Sequence, residues 1–246
     1  MKRKETENSH SEVVAIVVAG GAGSRMAGHV PKQYRLLDKV PVLIRTLLEF
    51  EKSSSVTGII VVVPEKDRDR LFREACNPYR LTKIRDIRPG GATRQDSVKS
   101  ALAVIDDTVE IVVVHDGVRP LVTDDLIDLS IREGRIRGAV AVGIPVTDTL
   151  KSVDSSNRIV GTVERDGLWF VQTPQVFHAN IIKKAYEQAF IDGYYGTDDA
   201  VLVERIGFPV TLIEGVRDNL KITKEEDLAL AEVLLTLRRS RGGRPA

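Results

Sequence analysis

The sequence predicts an α/β protein built on a doubly wound, mostly parallel sheet, and three observations carry that prediction. Short β-branched runs recur along the chain, at Val13 to Val18, Gly58 to Val63, Ile84 to Arg88, Glu110 to His115 and Gly138 to Ile144. Several are continuously apolar, which is the pattern of parallel strands covered on both faces. Helical patterns lie between these runs, and strand and helix alternating at this length wind crossovers around a parallel sheet. A chain of 246 residues with 42% hydrophobic content also suffices for a large buried core.

The first run empties into a glycine loop, Ala19-Gly20-Gly21-Ala22-Gly23-Ser24-Arg25-Met26. Helices are then expected over Pro41 to Lys52, where proline suits a first turn, and over Lys66 to Cys76, Arg94 to Ile105 and Thr123 to Arg135. In the last of these Thr123 serves as cap, while Asp124 and Asp125 complement the helix dipole. From Val146 to Gln172 the alternation stops. Thr149 to Val153 and Arg158 to Val163 flank Asp154-Ser155-Ser156-Asn157 and read as a hairpin, an arm projecting from the sheet. Helices resume at Asn180 to Asp192 and Thr197 to Ile206, the second closed by Gly207. Pro209 to Glu214 is a further strand, and Thr223 with Glu226 forms a capping box for a last helix reaching about Leu237. One domain over 12–238 is expected, with the arm at about 146–172. Residues 1–11 and the basic stretch 239–246 are expected to be disordered tails.

Composition excludes several classes. A net charge of +1 gives no protein-wide positive field, so no nucleic acid partner is expected. The lone Cys76 rules out an intrachain disulfide and a cysteine-rich zinc site, and fits a reducing cytoplasm. Met1 to His10 is charged and lacks an apolar core, and no apolar run approaches spanning length, so neither export nor a membrane is expected.

The glycine loop alone admits two readings, an ordinary strand-to-helix turn or a cradle of backbone N–H groups for an anion. Arg25 and Lys32 just behind it point to polyphosphate. A P-loop would end in Gly-Lys-Ser/Thr, but Gly23 is followed by Ser24 and Arg25. A dinucleotide fingerprint would place a third glycine where Met26 stands. What remains, Gly-Gly-x-Gly-x-Arg-Met with Lys32 six residues on, is similar to the signature of nucleotidyltransferases.

Further blocks narrow the resemblance. Pro31-Lys32-Gln33-Tyr34, Gly90-Gly91-Ala92-Thr93-Arg94-Gln95-Asp96-Ser97-Val98, His115-Asp116-Gly117-Val118-Arg119-Pro120, Asp148-Thr149-Leu150-Lys151, Thr173-Pro174-Gln175 and Asn219-Leu220-Lys221-Ile222-Thr223 stand in sequence order across nearly the whole chain. Together they resemble the 2-C-methyl-D-erythritol 4-phosphate cytidylyltransferase family. The resemblance implies a Rossmann-like nucleotidyltransferase fold and attack by the acceptor phosphate on the α-phosphorus of CTP, with magnesium (Mg2+) as the divalent cation. It makes Arg25 and Lys32 the catalytic cations. Ala19, Gly20, Gly21, Ala22, Gly23, Gly90, Gly91, Ser97, Asp116 and Gly117 are implied to bind nucleotide, with Asp116 also a candidate metal ligand. Thr149, Arg165, Thr197, Arg119 and Lys221 are implied to position the acceptor. The arm would cross to a second subunit in a homodimer, so that Arg165 acts in the neighbour's site.

Two features depart from the family pattern, Ala92 where an acidic residue is frequent and Gly117-Val118 in place of an Ala-Ala pair. His115 is read as a buried structural histidine, and Trp169 as packing in the arm or dimer. Asp198 and Asp199 are read as first-turn residues of a helix capped by Thr197 rather than as a metal pair. Ribitol 5-phosphate cytidylyltransferase shares the fold and the reaction, but Thr162-Val163-Glu164-Arg165-Asp166-Gly167-Leu168-Trp169 resembles the methylerythritol enzyme more closely. A catalytically silent nucleotide-binding protein is the other alternative, and the presence of both Arg25 and Lys32 speaks against it.

Overall fold

Every residue of β1 (Glu12–Val18) from Val13 onward is buried, and this strand lies within the sheet of the computed structural model, which describes residues 11–20, 30–73 and 78–242. A single 3-10 turn at Lys32–Tyr34 leads to the two-residue strands β2 (Leu36–Leu37) and β3 (Val40–Pro41), which pair antiparallel. α1 (Val42–Lys52) follows, with Pro41 as its N-cap. β4 (Gly58–Val63) is buried throughout. Over the stretch Lys66 to Cys76, expected to be helical, the structure has a 3-10 turn, Glu65–Asp67, and α2 (Arg68–Leu71), with helical backbone continuing at Phe72 and Arg73; residues 74–77, Cys76 among them, lie outside the described residues.

β5 (Ile84–Pro89), α3 (Arg94–Leu102), β6 (Val109–Asp116), α4 (Asp124–Arg137) and β7 (Ala139–Pro145) continue the alternation. The caps are local. Thr93 forms a capping box with Asp96, and Thr123 accepts from Leu126 N at 3.3 Å. Gly138, expected to open a strand, instead ends α4 in the left-handed region at φ 82°, a conformation that costs a β-carbon-bearing residue more.

The arm is present as β8 (Leu150–Val153) and β9 (Ile159–Val163), an antiparallel pair that forms its own two-stranded sheet. The chain then returns through β10 (Trp169–His178), α5 (Ala179–Ile191), α6 (Ala200–Arg205), β11 (Thr211–Glu214) and α7 (Glu225–Gly242). β10 is a strand that the sequence pattern did not single out. Pro174 argues against a strand interior, but the register against β7 shifts between Val171 and Gln175, so the proline sits where no regular ladder bond is required. α7 also runs further than expected, through residues 239–242 that composition assigned to a tail, and Arg239 pairs with Asp38. Its start is held by Asp227, which accepts from Thr223 N at 2.7 Å, where Glu226 was expected.

The seven strands run β11-β7-β10-β6-β1-β4-β5. β10 is antiparallel to β6 and β7, and the other neighbours are parallel. Both faces are covered. Leu43, Leu47 and Phe50 of α1, with Ile127 and Ile131 of α4, pack with Val13, Ala15 and Val17. Val98 and Ala101 of α3, with Ile182 and Ala185 of α5, pack with Val14, Ile16 and Val18. Each such large side chain contributes about 1.5–3 kcal/mol of transfer free energy. A smaller cluster of Leu37, Val42, Val118, Leu121, Ile222 and Ala231 fastens the Lys221 segment and α7 to the loop after β6.

Candidate active site

The carboxyl ends of β1, β4 and β6 share one rim, where ligands of doubly wound sheets bind. Backbone bonds carry the ladder past the strand ends. Ala19 N donates to Val62 O at 2.7 Å, Gly90 N to Val63 O at 2.8 Å and Gly117 N to Val18 O at 2.8 Å. A cavity of about 370 Å³ opens here, lined by Gly20, Lys32, Gly91, Ser97, Asp116 and Lys221 among others. Gly21, Ala22, Gly23 and Arg25 lie outside the described residues.

One wall is the Gly90-Gly91 turn. A β-carbon on Gly91 would stand 2.3 Å from the Asp96 β-carbon, so only glycine fits without movement. Ser97 Oγ accepts from Gly91 N at 3.1 Å and donates to Thr93 O at 2.9 Å, which fixes the turn onto α3. Gly20 and Gly90 face each other backbone to backbone, and a β-carbon on Gly90 would stand 3.3 Å from Gly20 Cα and 3.3 Å from Ser97 Oγ. At Gly117 a β-carbon would meet Leu43 Cδ1 at 2.9 Å, Ala19 Cβ at 3.0 Å and Val18 O at 3.1 Å, so alanine at this departure from the family pattern requires these neighbours to shift.

The floor is electrostatic. Asp116 Oδ1 takes Arg94 Nε at 3.1 Å, and its Oδ2 faces Lys221 Nζ at 2.9 Å and Arg119 Nε at 3.4 Å. Burial works to raise the Asp116 pKa, but Arg94, Lys221 and Arg119 together outweigh it and hold the carboxyl well below the usual range. Arg119 also donates to Asn219 O at 2.7 Å, so it braces the Lys221 segment and does not line the cavity. Both oxygens of Asp116 are taken by cations, and no group of three or more metal-ligating residues occurs among the described residues. With both oxygens so engaged, Asp116 reaches a metal only if one of these cations withdraws.

His115 is fully buried behind the floor, as expected of a structural histidine. Thr173 Oγ1 accepts from Asp116 N at 3.1 Å and lies 3.0 Å from His115 Nδ1. Arg119 O, 3.3 Å from Nε2, can only accept, so in the neutral ring Nε2 carries the proton and the Thr173 hydroxyl donates to the bare Nδ1. Burial first of all, and the nearby arginines, push the His115 pKa down to about 3 despite Asp116.

The remaining expected residues are not brought to this cavity. Thr149 and Arg165 line a separate concavity on the arm with Thr162 and Glu164, and Arg165 Nη1 donates to Thr147 O at 2.5 Å. Thr197 is exposed beside the start of α6 and does not cap it. Asp198 Oδ1 accepts from Val201 N at 3.0 Å instead, while Asp199 turns away from the helix to Arg94 at 2.8 Å. The dipole reading therefore fails for Asp199.

Sequence reasoning gave no role to Asn219, Thr173 or Gln175. Asn219 Nδ2 donates to Gln172 Oε1 at 3.1 Å and Thr173 O at 2.8 Å, tying the Lys221 segment to β10. These residues stood in quoted motif blocks, and that proximity to motif positions was their one signal.

Comparison with known proteins decides the family. The family model described as 2-C-methyl-D-erythritol 4-phosphate cytidylyltransferase matches residues 13–237. The chain belongs to this family. The 2-C-methyl-D-erythritol 4-phosphate cytidylyltransferase of Syntrophus aciditrophicus is 47% identical over 224 residues, covering 91% of this chain and 96% of that protein. The 4-diphosphocytidyl-2C-methyl-D-erythritol synthase structure from Anaerococcus prevotii superposes with a TM-score of 0.81 at 28% identity, covering 92% of this chain and 97% of the other. The cytidylyltransferase structure from Thermus thermophilus gives 0.75 at 30% identity, with 92% and 99% covered. The stretch matched to the cytidylyltransferase family runs from β1 into α7, so every cavity-lining residue lies inside it.

Proposed function

We infer that this chain transfers the cytidylyl group of CTP to 2-C-methyl-D-erythritol 4-phosphate, releasing pyrophosphate, as a step of isoprenoid biosynthesis. The carrying observation is that family membership over residues 13–237 coincides with a cavity at the sheet's carboxyl edge lined by Lys32, Asp116 and Lys221. An acceptor phosphate oxygen bonds to the α-phosphorus while the bond from that phosphorus to the bridging oxygen of pyrophosphate breaks. No protein nucleophile takes part. The chemistry asks for fixed donors and cations around developing negative charge, which is the role given to Arg25 and Lys32.

In this reading Gly20, Gly21, Ala22 and Gly23 offer backbone N–H groups to the triphosphate, and Gly90, Gly91 and Ser97 frame base and ribose. Asp116 and Gly117 face a substrate hydroxyl, and Lys221 leaves Asp116 for the acceptor phosphate. Magnesium enters with CTP on its triphosphate oxygens, as part of the substrate. Thr149, Arg165 and Thr197 belong to the acceptor side, with Arg165 supplied by a second copy of the chain. That homodimer is supported by the arm's exposed apolar surface, Val153, Ile159, Val160, Val163 and Phe170, because an isolated two-stranded hairpin is marginal in water. A cytoplasmic location belongs to the same reading, consistent with the lone cysteine. Among the described residues no helix is long and apolar enough to cross a membrane.

Of the acceptors weighed from the sequence, methylerythritol phosphate is the one the relatives' names carry. The test is pyrophosphate release from magnesium–CTP with either acceptor. Turnover with methylerythritol 4-phosphate is expected; turnover with ribitol 5-phosphate alone would refute the assignment.

A further inference from the structure

Asp199 is fully buried, and the reaction described above gives it nothing to do. Its Oδ2 accepts from Arg94 Nη2 at 2.8 Å, and its Oδ1 from the Tyr186 hydroxyl at 2.5 Å. Asp199 N and Ala200 N both donate to Gln175 Oε1 at 3.0 Å, so β10 fixes its backbone. Three elements thus hold this carboxylate in place. A buried charge needs a matched partner, and a position serving only to fill space is met at lower cost by a neutral side chain.

Arg94 joins two carboxylates. Nη2 is bound behind the cavity by Asp199, and Nε is presented to Asp116 at 3.1 Å. Asp116 in turn holds Lys221 at 2.9 Å, with the Lys221 side chain 37% exposed. Lys221 is the cation of this cluster with a compact charge on a flexible stem, suited to move between two anions.

We propose that Asp199 is a positioning residue that keeps Arg94 on Asp116, so that Asp116 retains Arg94 on Oδ1 beside Arg119 on Oδ2 when Lys221 turns to the acceptor phosphate. With Asp199 in place the guanidinium is held from behind and cannot swing into the cavity. Without it, Arg94 has one carboxylate left and competes with Lys221 for the same incoming phosphate. Tyr186 acts one bond further back by fixing the Asp199 carboxylate. The inference rests on the acceptor-phosphate role given to Lys221.

The test compares full-length wild type with Asp199→Asn and Tyr186→Phe, using steady-state kinetics in which each substrate is varied separately. Asparagine still accepts from Tyr186 but has no charge for Arg94. Asp199→Asn is expected to raise the KM for methylerythritol 4-phosphate by about tenfold, the worth of one charge-assisted hydrogen bond, and to leave the KM for CTP within about twofold. Tyr186→Phe is expected to move the same constant by about two- to fivefold. A fall in kcat that tracks the folded fraction by near-ultraviolet circular dichroism, with both KM values unchanged, would show a merely structural role and overturn the proposal. If Asp199→Asn does not fold, Tyr186→Phe decides: a rise in the acceptor KM alone supports the proposal, and an unchanged one overturns it. Wild-type turnover reports on the function reading, and the variant-to-wild-type ratios on Asp199.

Discussion

Lowering the pH from about 7 to about 4.5 should destabilise the protein chiefly through His115. Both ring nitrogens of His115 are satisfied in the neutral form, Nδ1 by the Thr173 hydroxyl and Nε2–H by Arg119 O. Burial, the largest cause, takes its pKa from 6.5 to about 3 in the folded protein. The unfolded chain therefore binds a proton that the folded protein refuses between about pH 6.5 and about pH 3, so stability falls as the pH drops through that window. With those two values the loss between about pH 7 and about pH 4.5 is about 2.5 kcal/mol. Asp116 works in a different range. Its folded pKa is depressed, so its contribution is present above the unfolded carboxylate value of about 3.9 and is lost mainly below it. Urea unfolding of wild type and His115→Gln at both ends of the window checks the assignment. Wild type should lose about 2.5 kcal/mol more than the variant, because contributions from other groups are common to both. Parallel pH dependences would refute the neutral buried histidine.

Lys32→Ala should lower kcat by about a hundred- to thousandfold if Lys32 is, as proposed, a donor at developing charge; a change of less than about tenfold would remove Lys32 from the catalytic pair. Gly91→Ala forces a β-carbon to within 2.3 Å of Asp96 and strains the α3 capping box. It should cost about 1–3 kcal/mol and raise the KM for CTP, and a silent substitution in both assays would contradict the tight turn. Mixing inactive Arg25→Ala and Arg165→Ala chains under subunit exchange should restore part of the activity, and no recovery in verified heterodimers would count against a shared site.

Much of the fold was legible because its signals are local. The continuous apolar runs of β1, β4 and β6 announced two-sided burial, and Thr123 and the turn after Val153 each act on neighbours within a few residues. Elements whose formation depends on distant partners were misjudged. β10 carries a proline and becomes a strand where β6 and β7 flank it, and α7 continues past its apparent end, where Arg239 pairs with Asp38, distant in sequence.

The candidate site divides in the same way. The glycine turns, Lys32, Ser97 and Asp116 were readable as blocks, since close backbone approach and the ends of apolar strands leave marks in adjacent residues. Which cations settle on Asp116 was not readable. Arg94 reaches it across 22 residues and reaches Asp199 across 105, and Lys221 arrives from the segment before α7. By itself the sequence determined the buried parallel strands, the Thr123 cap and the kinds of group at the sheet's carboxyl edge. Tertiary structure alone decided which charges share a carboxylate, because the order of strands in the sheet sets those distances and chain spacing does not.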